Sequence, residues 1–465
     1  MLISFSTSQS RIPNEITINE KGYRLLMQRF MIRRWCNEFH YQQALVCTLI
    51  FLALCPQVTY AQGLPDSSNE SWVATWTAAQ QLLVAPFPVG EKDRERAKLP
   101  DTLHDQTIRM IVHTSIGGKS VRIHLSNAIG APPVTVASIH IANRNGQGSE
   151  IVAGSDRTVT FNGKRSVSIQ PGVVLVSDPI DLDVRPEADL AVSLFLPQDT
   201  GAPTNHLLGF HTAFLSKGDT TSQTVLAEPV QTTSSYLWLA AVDVSTASPR
   251  SFSVVALGDS ITDGYATTLD ANHAWPALLA KRLASVGSQP GIAVVNQGIS
   301  GNQVLRDGAG ISALARFDRD VLSQAGVKWM ILLEGINDIN LHTRISPEVP
   351  LPTSDDLTSD DLIGAYVQLI ERAHTHGIKV IGATLTPEEG VWIASKKGEE
   401  IRQAVNKWIR TSGRFDAIVD FDAVIRDPNH LTKMRTEFDP GDHIHPNDEG
   451  NQVMANAFDL SVFRK

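Results

Sequence analysis

Cysteine is nearly missing from this chain. There are three among 465 residues, and all of them, Cys36, Cys47 and Cys55, fall in the first 55 positions. Everything after Cys55 must fold and work without a disulfide, a thiolate metal site or a cysteine nucleophile. Long basic runs are also missing, and the formal net charge is −9. That excludes the electrostatic footprint of a nucleic-acid-binding protein. The one apolar run near the N-terminus, Ala44 to Cys55, is short for a bilayer span. Aromatic residues are 6% of the chain, and its composition is otherwise that of a soluble globular protein.

The apolar run belongs to a leader. Arg33 and Arg34 precede it, and Pro56 and the small-residue exit Thr59-Tyr60-Ala61 follow it. A charged region, a short apolar core and a small-residue exit are the parts of a secretory signal. Residues 1–61 are therefore expected to be removed, leaving a secreted or periplasmic protein with no stable membrane insertion. The alternative is an anchor that stays attached. The long stretch ahead of the core allows translation to start at Met27 or Met31. Leu54 before Cys55 makes a poor lipoprotein site, where a small residue is wanted.

The remaining length predicts two domains. Residues 72–248 read as all-β. Val121, Ile123 and Leu125 alternate with Arg122 and His124, and Ile139 and Ile141 flank His140, the two-residue period of a half-buried strand. Further strands are expected at Ile108 to His113, Val173 to Val176, Leu190 to Leu196 and Tyr236 to Val244. Gly117-Gly118, Pro132-Pro133, Asn162-Gly163 and Pro171-Gly172 separate them. Close-spaced short strands predict a β-sandwich or jelly roll. Trp72, Trp76 and Trp238 fit the core or a domain interface better than a sugar-stacking surface.

After the small, polar stretch Ser245 to Arg250, residues 251–465 alternate strand and helix. Strands are expected at Val254 to Leu257, Ile292 to Val295, Trp329 to Leu333, Val380 to Thr384 and Ala417 to Val419. Helical patterns run over Ala274 to Val286, Ile311 to Ala325, Leu362 to His376 and Glu399 to Thr411, with a last helix after Pro446. This alternation predicts an α/β domain with a parallel sheet. Ser346 to Asp361, rich in Pro, Ser and Asp, reads as a surface loop.

Four stretches of this half carry reactive or turn-forming residues. Gly258-Asp259-Ser260-Ile261-Thr262 follows the first strand, Gly298-Ile299-Ser300-Gly301-Asn302 the second, and Gly335-Ile336-Asn337-Asp338 the third; Asp442-His443-Ile444-His445-Pro446 lies near the C-terminus. Serine-based acyl transfer needs a nucleophile, a base, a group that orients the base, and oxyanion donors. Ser260, His445 and Asp442 suit the first three roles. The Gly301 amide and the Asn337 side chain suit the fourth. The serine is not in the Gly-x-Ser-x-Gly elbow of α/β-hydrolases. Asp338 reads as a partner for backbone amides, and Asp263 as a support for the nucleophile turn. His273, His342, His374 and His376 read as surface residues. His443 and His445 could ligate a metal, but no well-placed third ligand accompanies them.

These four blocks, in this order, resemble the SGNH or GDSL hydrolase family of esterases and lipases, over roughly Phe252 to Phe458. Ile261 stands where the family name has leucine. The resemblance implies a flavodoxin-like three-layer α/β/α fold, Ser260 as nucleophile, and the Asp442–His445 pair. It also implies an oxyanion hole of the Ser260 and Gly301 amides with Asn337, and no cofactor or metal. The N-terminal half resembles the β-rich part of an exported bacterial subgroup. The expected activity is hydrolysis of carboxylic esters, with short acyl groups such as acetyl on a small or polysaccharide alcohol. A lysophospholipase-like lipase, an aryl esterase and a non-catalytic carbohydrate-binding protein are the alternatives.

Overall fold

The computed structural model describes residues 71–81, 95, 98, 101–130, 132–226, 230–287, 291–343 and 357–464. The leader with its three cysteines, and most of the Ser346 to Asp361 segment, lie outside the described residues. From Asn69 onward the chain forms one compact unit with a β-rich half and an α/β half.

The β-rich half is built on two larger antiparallel sheets, with two further two-stranded pairs, Asn205–His206 with Tyr236–Leu237 and Val134–Val136 with Val167–Ile169. One larger sheet orders Ser71–Thr77, Leu239–Thr246, Gly118–Ser126 and Val174–Val176, with Ile180–Val184 also paired to Gly118–Ser126. The other orders Gln231–Thr233, Ala213–Lys217, Gln106–His113, Asp189–Leu196, Ser138–Asn143 and Arg157–Thr158. The two-residue period explains the packing. Ile180, Leu182 and Val184 are buried while Asp181 and Asp183 are exposed. Val121, Ile123 and Leu125 from the first sheet share one apolar cluster with Ile108, Met110, Val192 and Leu194 from the second. The expected strand Tyr236 to Val244 is interrupted. Trp238 has φ +55°, a left-handed backbone that no strand continues through, so Tyr236–Leu237 and Leu239–Thr246 are separate elements. Trp238 is buried in the core. Trp76 packs edge-on against Tyr236, and Trp72 lies under the Arg122 guanidinium. The tryptophans are thus packing residues, as expected.

The α/β half holds five parallel strands in the spatial order Ile292–Gly298, Phe252–Gly258, Val327–Leu333, Lys379–Ala383, Ala417–Val419. Numbered within this half the order is 2-1-3-4-5, the flavodoxin-like arrangement. Right-handed crossovers run one way from the first strand and the other way from the second. The crevice opens at the carboxyl ends of these strands, where the winding reverses. Helices Trp275–Ser285, Ser359–Thr375, Lys396–Thr411 and Asp448–Asn456 lie close to the expected patterns. Two expectations are corrected. The Ile311 to Ala325 pattern is a short α-helix, Ala313–Phe317, passing into a π-helical turn, Asp318–Leu322. The loop expected to reach Asp361 ends earlier, because Thr358 and Asp361 form a reciprocal cap that starts the helix at Ser359.

Strand Ile292–Gly298 is the edge of the parallel sheet, and unpaired edge groups need partners. The β-rich half supplies two. The Ser115 hydroxyl accepts from Val294 N at 2.8 Å, and the Thr77 hydroxyl donates to Asn296 O at 2.7 Å. The two halves are therefore joined along this edge strand.

Candidate active site

Strand Phe252–Gly258 is buried along its whole length and stops at Gly258. A Cβ at Gly258 would lie 2.1 Å from the Thr262 hydroxyl and 2.4 Å from Leu333 O, so only glycine lets the chain turn there. Asp259 caps the single helical turn Ser260–Asp263 by accepting from Ile261 N at 3.0 Å. Gly264, at φ +110°, ends it. Ser260 is thus fixed at the first position of a turn at the sheet's carboxyl edge.

His445 Nε2 lies 2.8 Å from Ser260 Oγ, and its Nδ1 lies 2.7 Å from Asp442 Oδ2. Asp442 Oδ1 accepts the amides of Ile444 and His445 at 3.1 and 3.0 Å. Burial works to raise the Asp442 carboxyl. Its hydrogen bonds and charge interaction with His445 outweigh this and hold it below the ordinary aspartate range. An ionised Asp442 accepts from Nδ1–H, which leaves Nε2 free to accept a proton from Ser260. The Tyr265 ring packs on the His445 ring, centroids 4.4 Å apart, and Phe210 from the β-rich half meets Tyr265 edge-on.

His443 is elsewhere. Its Nδ1 bonds Asp439 Oδ2 at 2.6 Å, its backbone is left-handed at φ +67°, and its ring covers Gly390. Among the described residues no three His, Asp or Glu side chains converge as a metal site.

Gly301 has φ +81°, and the loop around it is tied from several sides. Asn302 N donates to Ile299 O. The Asn302 side chain bonds Ile311 O and accepts from Arg316 Nε. Asn337, in the first turn of Ile336–Thr343, donates one amide hydrogen to Asn302 O at 2.9 Å. That bond fixes the amide plane and leaves its second hydrogen for another acceptor. Asp338 accepts the Val304 and Leu305 amides at 2.8 and 3.0 Å, as its sequence reading expected. Burial pushes it up to about 6, against the pull of those two amides.

Sequence reasoning missed several residues. Arg316, placed on an amphipathic helix, is fully buried beneath the crevice. It donates to Gly258 O at 3.0 Å, Gln297 O at 2.7 Å and Asn302 Oδ1 at 2.9 Å, tying two strand ends to the Gly301 loop. It faces Asp320 at 3.1 Å and Glu334 at 3.6 Å. Burial, then neighbouring carboxylates, push Asp259 and Glu334 upward, so this layer does not stack full negative charges. His206, from the β-rich half, bonds Asp263 Oδ1 at 3.0 Å. Asp263 Oδ2 in turn accepts the Ser300 amide and hydroxyl at 2.9 and 2.6 Å. No motif marks His206; only spatial neighbourhood reveals it. His342 bonds Gln303, His273 bonds Asp448, and His374 bonds Asp416, each a partner other than Ser260.

With the family match over residues 256–453, this fold and its capped serine turn give the class: a carboxylic ester hydrolase. Residues 256–453 match the model of the GDSL-like Lipase/Acylhydrolase family, and this segment is a GDSL-type domain. Solved structures similar to the chain include a catalytic mutant of an acetylxylan esterase from Geobacillus stearothermophilus. It is 24% identical, with TM-score 0.36, over 46% of this chain and 94% of that one. A GDSL-like lipase from Bacteroides thetaiotaomicron is 19% identical, with TM-score 0.34, over 46% and 88%. An acetyl xylan esterase, AlAXEase, is 21% identical, with TM-score 0.34, over 44% and 97%. A comparison with curated proteins gives no match.

Proposed function

We propose that this protein is an exported serine esterase that removes short acyl groups, acetyl above all, from a polar alcohol such as a carbohydrate. The observation that carries the mechanism is the unbroken bond sequence Ser260 Oγ, His445 and Asp442. His445 Nε2 takes the serine proton as Oγ attacks the ester carbonyl. Asp442 keeps the imidazole in the correct tautomer and stabilises the imidazolium. The developing oxyanion accepts from the Ser260 and Gly301 amides and from the Asn337 hydrogen not engaged by Asn302. His445 then returns the proton to the leaving alkoxide. Water, deprotonated by the same imidazole, hydrolyses the acyl-enzyme and frees Ser260. No cofactor is needed in this sequence.

The polar and glycine-rich stretches around the reactive residues, Thr262-Asp263-Gly264, Asn302-Gln303, Asn337-Asp338 and Asp439-Pro440-Gly441, support a polar alcohol and a small acyl group. Labelling by a serine-directed phosphonate tests the nucleophile. The expected result is one adduct on Ser260, lost together with ester hydrolysis in Ser260→Ala. An active, unlabelled Ser260→Ala overturns the reading, and a wild-type protein that binds acetylated oligosaccharide without hydrolysing it replaces it with a binding role.

A further inference from the structure

One segment of the β-rich half carries His206 to the nucleophile turn. Asn205 to Thr212 lies against the segment that follows the nucleophile turn. Asp270 N donates to Phe210 O, Asp270 accepts the Thr212 amide and hydroxyl at 2.6 and 2.7 Å, and His211 Nε2 is 3.0 Å from Asn272 Oδ1. Leu207 N is held by Gln81 Oε1 at 2.7 Å. Within this clamp His206 is 4% exposed, and both of its ring nitrogens are engaged.

Its protonation follows from its partners. Nδ1 lies 2.8 Å from Ala79 O; a peptide carbonyl only accepts, so Nδ1 carries a hydrogen. Nε2 faces Asp263 Oδ1, and the other oxygen of that carboxylate already receives two donors from Ser300. A carboxylate at Asp263 accepts at each of these contacts, which favours a hydrogen on Nε2 as well and so the imidazolium form of His206. Burial opposes that charge, but Asp263 outweighs burial and raises its pKa. A buried pair with all its hydrogen bonds made is rigid, and removing one partner leaves the other charge uncompensated.

We propose that His206 is a positioning residue for the oxyanion hole. It fixes Asp263, Asp263 fixes Ser300, and Ser300 sets the peptide that leads into the Gly301 amide. The same carboxylate sits at the last residue of the Ser260 turn, so one ion pair registers the nucleophile turn against the oxyanion loop. The β-rich half is then part of the catalytic centre rather than an appended module. This inference rests on the serine-esterase reading and assigns His206 no contact with substrate.

The experiment compares wild type, His206→Ala and His206→Gln in the full chain, with kcat and KM on one acetyl ester. It also measures the affinity of a trifluoromethyl ketone, which forms a tetrahedral adduct with the serine. Misplacing an oxyanion donor should cost about 10²-fold in kcat, with KM little changed and ketone affinity falling in step. Glutamine, which still donates to Asp263, should recover part of the loss. Combined with Asn337→Ala, His206→Ala should cost less than the product of the single losses, because both act on one oxyanion. If His206→Ala does not fold, His206→Gln and Ser300→Ala carry the same comparison. Folded variants that keep wild-type kcat, or that lose kcat with ketone affinity intact, overturn the inference and leave the esterase reading standing. A wild-type protein that hydrolyses no ester removes both.

Discussion

His445 Nε2 and Ser260 Oγ lie 2.8 Å apart although 185 residues separate them in sequence, while His443 turns to Asp439. The left-handed backbone at His443 is what divides the two imidazoles. His445→Ala should abolish turnover, since losing the nucleophile or base of a triad can cost on the order of 10⁶. His443→Ala, with His443→Asn as the variant that tolerates left-handed backbone, should keep most of it. Steady-state kinetics on folded variants check this; loss confined to the His443 variants would reverse the assignment.

Asn337 offers a second, graded test. Its amide is already oriented by Asn302 O, so its free hydrogen is pre-aimed and needs no reorganisation. Removing one oxyanion donor typically costs about 10²–10³ in turnover. Asn337→Ala should lower kcat by about that factor with a smaller change in KM. An unchanged kcat would argue against the role.

The parts legible in the sequence were those with local signatures. Four of the five parallel strands carried runs of buried apolar residues, and four short blocks placed glycines close to reactive side chains. Asp442 and His445 could be paired because they sit three residues apart. Arg316 was illegible because an arginine on a helical stripe reads as solvated, and four of its five polar partners come from other segments, Asp320 being four residues on. His206 was illegible for the same reason: its partner Asp263 is 57 residues away. The break at Trp238 was hidden because β-forming residues flank it on both sides.

The leader gives a prediction independent of the site. Arg33-Arg34, the Ala44 to Cys55 core and Thr59-Tyr60-Ala61 place the mature N-terminus close to Gln62. N-terminal sequencing of exported protein checks it, and a chain still beginning upstream of Ala44 would refute it.

His113 couples stability to pH. It lies 2.7 Å from Asp189 and 3.5 Å from Glu187. Burial disfavours its charge, but the two carboxylates win and raise its pKa from 6.5 to about 9. The folded protein therefore binds this proton more tightly than the unfolded chain. Its contribution is full below 6.5 and is lost as pH rises through about 9. His113→Gln should lower Tm clearly at about pH 6 and much less at about pH 9.5. A gap in Tm that widens with rising pH would contradict the ion-pair account.

Acyl-chain length is the test of substrate class. Each buried methylene contributes about 0.8 kcal/mol, so an enzyme with a continuous apolar channel should gain steadily in kcat/KM as the chain lengthens. Next to Gly301 in the chain come Asn302 and Gln303, both buried, and Gln303 is hydrogen-bonded to His342 at 2.8 Å. Pushing an alkyl chain through that pair would break the bond and leave two polar groups facing hydrocarbon, which costs more than a methylene or two returns. Tyr265 and Phe210 supply an apolar surface on the His445 side, large enough to flank a methyl group or a sugar ring. With one leaving group throughout, kcat/KM should therefore be highest for the acetyl ester and fall towards palmitoyl. A steady rise instead would mean that a lipid groove exists beyond these residues, and the lipase reading would take the place of the carbohydrate-ester one.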